Sequence, residues 1–330
     1  MYVDFKGRSI ETPLGLLKGA GEVEFHVNGA LKSVRLLERN TVITPSGPLA
    51  PAYTWGEIRR KHSSSITFFL NGAIKSLRLE QRTLIHQPRP MVVERIAWYP
   101  QGQVKMLFPL DGRLSAYWTQ KEEMSLAEPL DVALPDGSVL NKIHLISIGF
   151  HQNQALKSLT LWPGQRVQVA TAYGTISARL GLDFYPDGSP KSLEPAKPTA
   201  VLTPLGSFMA YDPMAIGLNG ENGSLAFAAD QSLLSLKTLD EFTWENAGNS
   251  GQTEIFRPLT LPHPLNENAV ERFPNKLEFI EQGVRIGFDV PGKKDRFFEL
   301  PGGPVKIGAT GGSKVARPVR GIVLPQRSVE

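Results

Sequence analysis

The chain has 330 residues, of which 41% are hydrophobic and 21% are charged, and its formal net charge is +4. This composition supplies enough apolar side chains for one large or two ordinary domains and excludes global disorder. Cysteine is absent, which excludes disulfides, thiolate zinc sites and a cysteine nucleophile. The sequence shows no signal-peptide pattern and no run of about 18 apolar residues, so we expect a cytoplasmic protein.

A β-hairpin pattern recurs along the chain. It reads FHVNGALKSV from Phe25, FLNGAIKSL from Phe69, FHQNQALKSL from Phe150 and FYPDGSPKSL from Phe184. Asn-Gly or Asp-Gly between two half-apolar runs is the strongest short-range signal for a two-residue β-turn. The repeat therefore predicts a mainly β fold, an array of repeated antiparallel hairpins.

In these hairpins an aromatic residue precedes a lysine by seven positions. A two-residue turn would place Thr67 opposite Ser76 and would likewise pair Phe68 with Lys75. Because a lysine stem on an aromatic ring contributes about 0.2–1 kcal/mol, we favour a structural role for these pairs. The alternative is a ladder of ammonium groups that binds anions. The predicted pairs are Phe25–Lys32, Phe68–Lys75, Trp98–Lys105, Phe150–Lys157 and Phe184–Lys191.

A second turn motif, Thr-Pro-x-Gly, occurs at Thr12–Gly15, Thr44–Gly47 and Thr203–Gly206. Proline in second place and glycine in fourth suit a type I turn with a bulge at the glycine. Both motifs recur at a spacing of 159 residues, so that residues 12–77 match residues 171–236 without a gap. We interpret this match as an internal duplication that produced two related halves.

The phrase FLNGAIKSL, preceded by Phe68, belongs to a general pattern of an aromatic residue, two spacers, Asn/Asp-Gly, then an apolar residue and lysine. This pattern resembles the MORN-variant repeat of bacterial proteins that are often labelled antitoxin-like. The resemblance is confined to the hairpin cores. It implies an antiparallel hairpin array that serves as a binding or scaffolding surface, and it transfers no antitoxin role to any residue here.

The segment from Pro109 to Val132 interrupts the repeats. Thr119 and Glu122 form a capping-box pattern, which predicts a short helix over residues 120–127. Side chains around this helix could line a binding cleft, although we favour a linker helix that covers the end of a sheet. A second interruption of the repeats, from Tyr211 to Ser224, adds Tyr211 to the candidates. The candidate ligand-binding residues are Arg113, Tyr117, Trp118, Lys121, Glu122 and Tyr211.

Motifs for catalysis and metal binding are absent from the sequence. It contains no HExxH, GxSxG or phosphate-loop pattern. His144 and His151 are seven positions apart, on opposite faces of a regular strand, and do not form a metal pair. We therefore expect no metal site and no cofactor.

The surplus of positive charge lies at the C-terminus. Residues 301–330 hold five basic residues and one acidic residue, which leaves +4, the net charge of the whole chain. The rest of the chain is balanced and does not suggest a nucleic-acid-binding face. We predict a solvated, Pro/Gly-rich arm, with attachment to nucleic acid or an anionic surface as the weaker alternative.

These patterns predict a curled or layered sheet with internal duplication. Residues 1–118 form a first hairpin-repeat half, 119–130 a short helical connection and 131–240 a second half. Residues 241–300 hold degenerate β repeats, and 301–330 form the basic tail.

Two functions remain open. The first is a non-catalytic scaffold that binds a protein or ligand partner on its sheet face and loops. The alternative is an enzyme, a lyase, isomerase or hydrolase, with a site in a cleft between the two halves. The sequence names no particular partner or substrate.

Overall fold

The computed structural model describes residues 2–55, 58–60, 63–217, 223–245, 253–263, 265–281, 283–288, 296–299, 305–309 and 312–315. Most of this is antiparallel strand, which confirms the predicted mainly β fold of many hairpins. The chain divides into two compact units, Met1–Trp162 and Pro163–Glu330. The helix that was expected to connect two halves at residues 119–130 lies inside the first unit.

The described strands of the first unit pair mainly with their neighbours in the chain. An antiparallel sheet runs in the order β1-β2-β3-β6-β7-β8-β9-β12-β13, and β4–β5 and β10–β11 form separate hairpins. The strands are β1 (Tyr2–Thr12), β2 (Gly15–Phe25), β3 (Leu31–Leu36), β4 (Val42–Thr44), β5 (Gly47–Leu49), β6 (Ile66–Phe68), β7 (Ile74–Ile85), β8 (Met91–Trp98), β9 (Val104–Phe108), β10 (Leu130–Ala133), β11 (Val139–Ile143), β12 (Leu145–Phe150) and β13 (Leu156–Leu161).

The second unit has a similar antiparallel sheet in the order β14-β15-β16-β19-β20-β25-β26-β27. Hairpins β17–β18 and β23–β24 and a sheet β22-β21-β28-β29 complete its described strands. The strands are β14 (Val167–Thr171), β15 (Gly174–Phe184), β16 (Pro190–Pro195), β17 (Thr199–Thr203), β18 (Gly206–Ala210), β19 (Leu225–Phe227), β20 (Leu233–Thr238), β21 (Glu241–Glu245), β22 (Thr253–Phe256), β23 (Leu259–His263), β24 (Asn266–Phe273), β25 (Asn275–Ile280), β26 (Gly283–Phe288), β27 (Arg296–Glu299), β28 (Val305–Ala309) and β29 (Gly312–Val315).

The strand boundaries of the two units follow the spacing found in the sequence. Strands β2, β3 and β6 begin and end 159 residues before β15, β16 and β19 respectively. The pairings agree as well, because β2–β3–β6–β7 and β15–β16–β19–β20 are joined in the same order. Each position in one unit can therefore be compared with its counterpart in the other.

A row of aliphatic side chains crosses each sheet and forms the centre of its core. Each member pairs directly with the next on the neighbouring strand, and every member is at most 1% exposed. Burial of one such side chain contributes about 1.5–3 kcal/mol. The row in the first unit is Val23, Val34, Ile66, Leu77, Ile96, Leu107, Ile148 and Leu159; in the second it is Leu182, Leu193, Leu225, Leu236, Leu277 and Ile286.

The turn of the FLNGAIKSL hairpin is longer than the predicted two residues. The Gly72 N–H donates to the Phe69 carbonyl at 2.9 Å, and the Phe69 N–H donates to the Ala73 carbonyl at 2.8 Å. A two-residue type I′ turn needs a positive φ at both central residues, but here only Gly72, at +83°, has one. The Asn71 side chain instead accepts the Ala73 N–H at 3.1 Å, which stabilises the longer turn.

This longer turn shifts the register by one residue and separates Phe68 from Lys75. Thr67 faces Ser76 as predicted, but Phe68 then faces Ile74, so the Phe68–Lys75 pair is wrong. Phe68 is buried in the core, whereas Lys75 is exposed. The predicted register is wrong in the other four hairpins too, where the pairs are Phe25–Leu31, Trp98–Val104, Phe150–Leu156 and Phe184–Pro190.

In three of these hairpins the lysine instead lies near a second aromatic residue, the one that directly follows the buried aromatic residue. The Lys75 ammonium lies 5.8 Å from the centroid of the Phe69 ring. Two further hairpins repeat this contact, with Lys105 5.7 Å from Tyr99 and Lys191 5.9 Å from Tyr185. The lysines are therefore on the face opposite to the buried aromatic side chains.

The helix predicted near residue 120 is confirmed as α1, Gln120–Ser125, with Thr119 as its N-cap. Within the described part of the chain, no helix has the length and apolar character that a membrane span requires. Most of the predicted basic tail lies outside the described residues, apart from the backbones of β28 and β29.

Candidate functional site

The predicted ligand-binding residues around α1 are used largely to build that segment. Glu122 completes the capping box: the Thr119 N–H donates to its Oε2 at 2.6 Å, and the Glu122 N–H donates to the Thr119 hydroxyl at 3.3 Å. The Arg113 N–H donates to the Arg59 carbonyl at 2.9 Å. Tyr117, 71% exposed, and Lys121 have exposed side chains in the first unit.

Trp118 contacts the buried carboxylate of Glu123, which was not among the residues predicted from the sequence. Its indole N–H donates to Oε2 of Glu123 at 2.7 Å, and Glu123 is 3% exposed. The Gly112 N–H donates to the other carboxylate oxygen at 2.7 Å. The adjacent acid Glu122 faces solvent, so the capping pattern identified the helix but not its buried side chain.

Arg59 joins Glu123 to a second buried carboxylate, Glu94. Its Nη1 and Nη2 donate to the two oxygens of Glu94 at 3.0 and 2.7 Å, and its Nε and Nη2 donate to those of Glu123 at 2.7 and 2.8 Å. Arg60 adds an ion pair to Glu94 at 3.0 Å. Burial alone would lower the pKa of Arg59, but the hydrogen bonds to both carboxylates raise it. The cluster is tightly paired and connects three distant segments.

A second arginine cluster lies around Asp111. Arg78 pairs with this carboxylate at 2.6 Å and Arg95 pairs with it at 3.5 Å. Burial lowers the pKa of Arg78 to about 10, while Asp111 opposes that shift. Burial also raises the pKa of Asp111 above its ordinary value. Two guanidinium groups thus share one carboxylate, Asp111, in this cluster.

The first unit contains a recess of about 660 Å³, the hairpin-tip groove. It lies between the β4–β5 tip, the end of β7, the β8–β9 turn and the β12–β13 turn. Its fourteen lining residues are Pro45, Ser46, Pro48, Leu49, Thr83, Leu84, Ile85, His86, Gln87, Gln101, Gly102, Gln103, Val104 and Gln154.

The lining of the groove is rich in amides and contains no Asp, Glu, Lys or Arg. Four glutamines offer both hydrogen-bond donors and acceptors. Gln154 fixes its turn by donating to the Val104 and His151 carbonyls at 3.0 and 3.1 Å. The Oε1 atom of Gln103 is buried and has no hydrogen-bond partner among the described residues. Leu84, which is 49% exposed, supplies an apolar surface beside these groups.

The groove lies along one edge of β7, where this strand separates from the chain segment around Ala50–Ala52. The chain beside β7 is bonded to it through Ala52 N–H to the Arg78 carbonyl at 2.8 Å and Glu80 N–H to the Ala50 carbonyl at 3.1 Å. Further along, residues Thr83–Ile85 pair only with β8 among the described strands. The opposite edge of Thr83–Ile85 therefore has no strand partner in the described chain. No pattern in the sequence indicated this groove.

Tyr211, the remaining predicted residue, belongs to the second unit. The Arg179 guanidinium lies 4.9 Å from the centroid of its ring, and the Tyr211 N–H donates to the Lys237 carbonyl at 2.9 Å. The structure therefore groups five of the six predicted residues near α1 and places the sixth in another unit.

Metal ligands do not gather in the part of the chain that the structure describes, since no three His, Asp or Glu side chains come together there. Comparison with protein-family models, curated proteins and solved structures found no match to this chain.

Proposed function

We propose that the chain is a non-catalytic β-hairpin scaffold that binds an extended, uncharged peptide segment of a partner protein in the hairpin-tip groove. The observation that carries the proposal is the open edge of Thr83–Ile85 beside an amide-rich recess. An extended peptide can add a strand to such an edge, where main-chain hydrogen bonds provide affinity and side-chain recesses provide specificity.

The lining of the groove favours a neutral segment over a charged one. Glutamine amides can bond to peptide N–H and C=O groups alike, whereas no ionised Asp, Glu, Lys or Arg is present to pair with a charged side chain. A charged peptide side chain would lose hydration there without gaining an ionic partner. The apolar side chains of Leu84 and Leu49 suit small aliphatic residues of the peptide.

The other functional predictions from the sequence stay predictions. They are an enzyme with a site between the two halves, a cytoplasmic location, membership of the MORN-variant repeats and contact of the tail with a polyanion.

The experiment is a selection of random displayed peptides against the intact chain, followed by affinity measurement with synthetic peptides. We expect selected peptides to be uncharged over their central residues. Leu84→Glu should weaken their binding by about tenfold or more, because it places a charge in the groove. The matched control is Ile43→Glu, a change at a 71% exposed residue of β4 that does not line the groove.

Two results would reject the proposal. One is a selection that yields no saturable binder. The other is a set of binders whose affinities respond equally to Leu84→Glu and Ile43→Glu, since that would place the peptide elsewhere.

A further inference from the structure

The second unit contains a smaller cavity of about 280 Å³ on the face of its sheet opposite to the aliphatic row. It spans β15, β16, β19, β20 and β25. Its lining residues are Asp183, Tyr185, Lys191, Ser192, Gly223, Ala226, Phe227, Leu234, Ser235, Lys237 and Lys276. Unlike the hairpin-tip groove, this lysine cavity is lined by charged side chains.

The floor of the lysine cavity is one cross-strand row. Asp183 faces Ser192, Ser192 faces Ala226, and Ala226 faces Ser235. Cross-strand partners lie on the same face of a sheet, so these side chains stand side by side. The row alternates with the aliphatic core row and lies on the opposite face.

The first unit has the corresponding row, in which two of the four residues differ. Its residues at the corresponding positions are Glu24, Ser33, Thr67 and Ser76, joined in the same order. There the Thr67 and Ser76 hydroxyls are hydrogen-bonded at 2.7 Å. Ala226 replaces Thr67 in the second unit. The missing hydroxyl and methyl groups leave space above the sheet and leave the Ser235 hydroxyl without this partner.

Three lysines surround that space, and each is held by a carboxylate. The ammonium of Lys191 lies 3.0 Å from Asp183, that of Lys237 3.4 Å from Asp212, and that of Lys276 2.7 Å from Glu278. Only Asp183 of these three acids lines the cavity. The lining therefore carries more positive than negative charge, with the ammonium groups fixed in place in advance.

Asp183 supplies a complementary acceptor. It is 2% exposed, and only its Oδ2 atom is paired, with Lys191. The Oδ1 atom is buried and has no hydrogen-bond partner among the residues that the structure describes. A buried carboxylate oxygen without a donor is costly, so this position favours an incoming O–H or N–H group.

We infer that the lysine cavity binds a small organic anion that also carries a hydroxyl group. The anionic oxygens accept from the lysine ammonium groups, and the hydroxyl donates to Asp183 and accepts from a serine of the floor. The inference concerns the second unit alone and does not depend on peptide binding in the first.

The test is isothermal titration calorimetry of the intact chain with glycerol 3-phosphate and glycerate as probes, and with inorganic phosphate, acetate and glycerol as their fragments. We expect one saturable site for at least one hydroxylated anion, with each fragment weaker by about tenfold or more. No saturable binding by either hydroxylated anion, or affinities for both of them that are no greater than those for their fragments phosphate and acetate, would overturn the inference.

Matched variants locate the site. Lys191→Gln should weaken probe binding by about tenfold or more, whereas Lys32→Gln should leave it unchanged. These lysines hold the same position in the two units, and Lys32 pairs with Glu24 at 2.7 Å, yet Lys32 lines no part of the cavity. Equal effects of both variants would contradict the assignment.

Filling the cavity provides a second test. Ala226→Thr installs the residue that the first unit tolerates at this place and should abolish probe binding. Urea unfolding checks that the variant is folded. Should it be unfolded, Lys276→Gln takes its place, with the same expected loss of about tenfold. Retained binding in a folded Ala226→Thr variant would overturn the inference.

Discussion

Arg59 and Glu123 form a paired set of hydrogen bonds at 2.7 and 2.8 Å that ties the loop before β6 to α1. The Glu123 side chain is 4% exposed and that of Arg59 is 13% exposed. The same guanidinium also holds Glu94 on β8. Because one arginine serves two buried carboxylates, its removal affects three segments of the first unit.

Arg59→Gln is expected to destabilise the protein by about 3–5 kcal/mol, since it leaves the buried Glu123 without its cation and Glu94 with only its ion pair to Arg60. Urea unfolding at neutral pH measures the change in free energy. The control is Arg82→Gln, which breaks an exposed ion pair to Glu128 of the same 2.7 Å length. That variant should change stability by less than about 1 kcal/mol. Similar losses for both variants would contradict the role given to Arg59.

The lowered pKa of Glu123 predicts that the folded protein loses stability in acid. Burial alone would raise the pKa of Glu123, but hydrogen bonds from Arg59 and Trp118 outweigh it and hold the pKa below its ordinary value. A lowered pKa in the folded state adds stability above the ordinary pKa, and that contribution is lost as the pH falls through the folded value. The free-energy gap between wild type and Glu123→Gln should therefore be largest at neutral pH and shrink below about pH 4. Urea titrations across that range check it; a constant gap would count against the pairing.

The raised pKa of Glu194 in the second unit predicts that this residue contributes more stability as the pH falls. Burial raises its pKa, although the Ser224 hydroxyl donates to it at 2.6 Å and the Asp212 N–H at 3.0 Å. A raised folded-state pKa means that the folded protein gains stability relative to the unfolded chain as the pH falls through that value. The free energy of unfolding of the wild type minus that of Glu194→Gln should therefore increase as the pH falls from 7 towards about 4.5. A decrease in this difference over the same range would contradict the direction of the shift.

The turn geometry can be tested with two glycines. Gly72 and Gly29 have φ of +83° and +82° at equivalent places in their hairpins. Alanine at either position should cost about 1–2 kcal/mol, because this conformation strains a residue with a Cβ. An added Cβ at Gly72 would also lie 3.0 Å from the Pro13 ring, whereas none of the atoms near Gly29 comes within 4 Å. Gly72→Ala should therefore lower the urea midpoint more than Gly29→Ala; the reverse order would be evidence against the Pro13 contact.

The candidate sites were harder to predict than the helix beside them. The capping box located α1 because Thr119 and Glu122 are three positions apart and act locally. Glu123 was missed, since its buried partners, Arg59 and Gly112, come from other segments. The hairpin-tip groove combines four separate segments, so its glutamines had no shared pattern in the sequence.

The sequence by itself determined that this chain is an array of antiparallel hairpins with two corresponding halves. Alternating apolar residues and glycine turns act over a few positions, and the 159-residue spacing can be read directly. Only the tertiary structure decided the register after each turn, which moved Lys75 away from Phe68. It also decided which side chains meet across strands, because Asp183, Ala226 and Lys276 come together only through strand pairing, and no local pattern specifies such contacts.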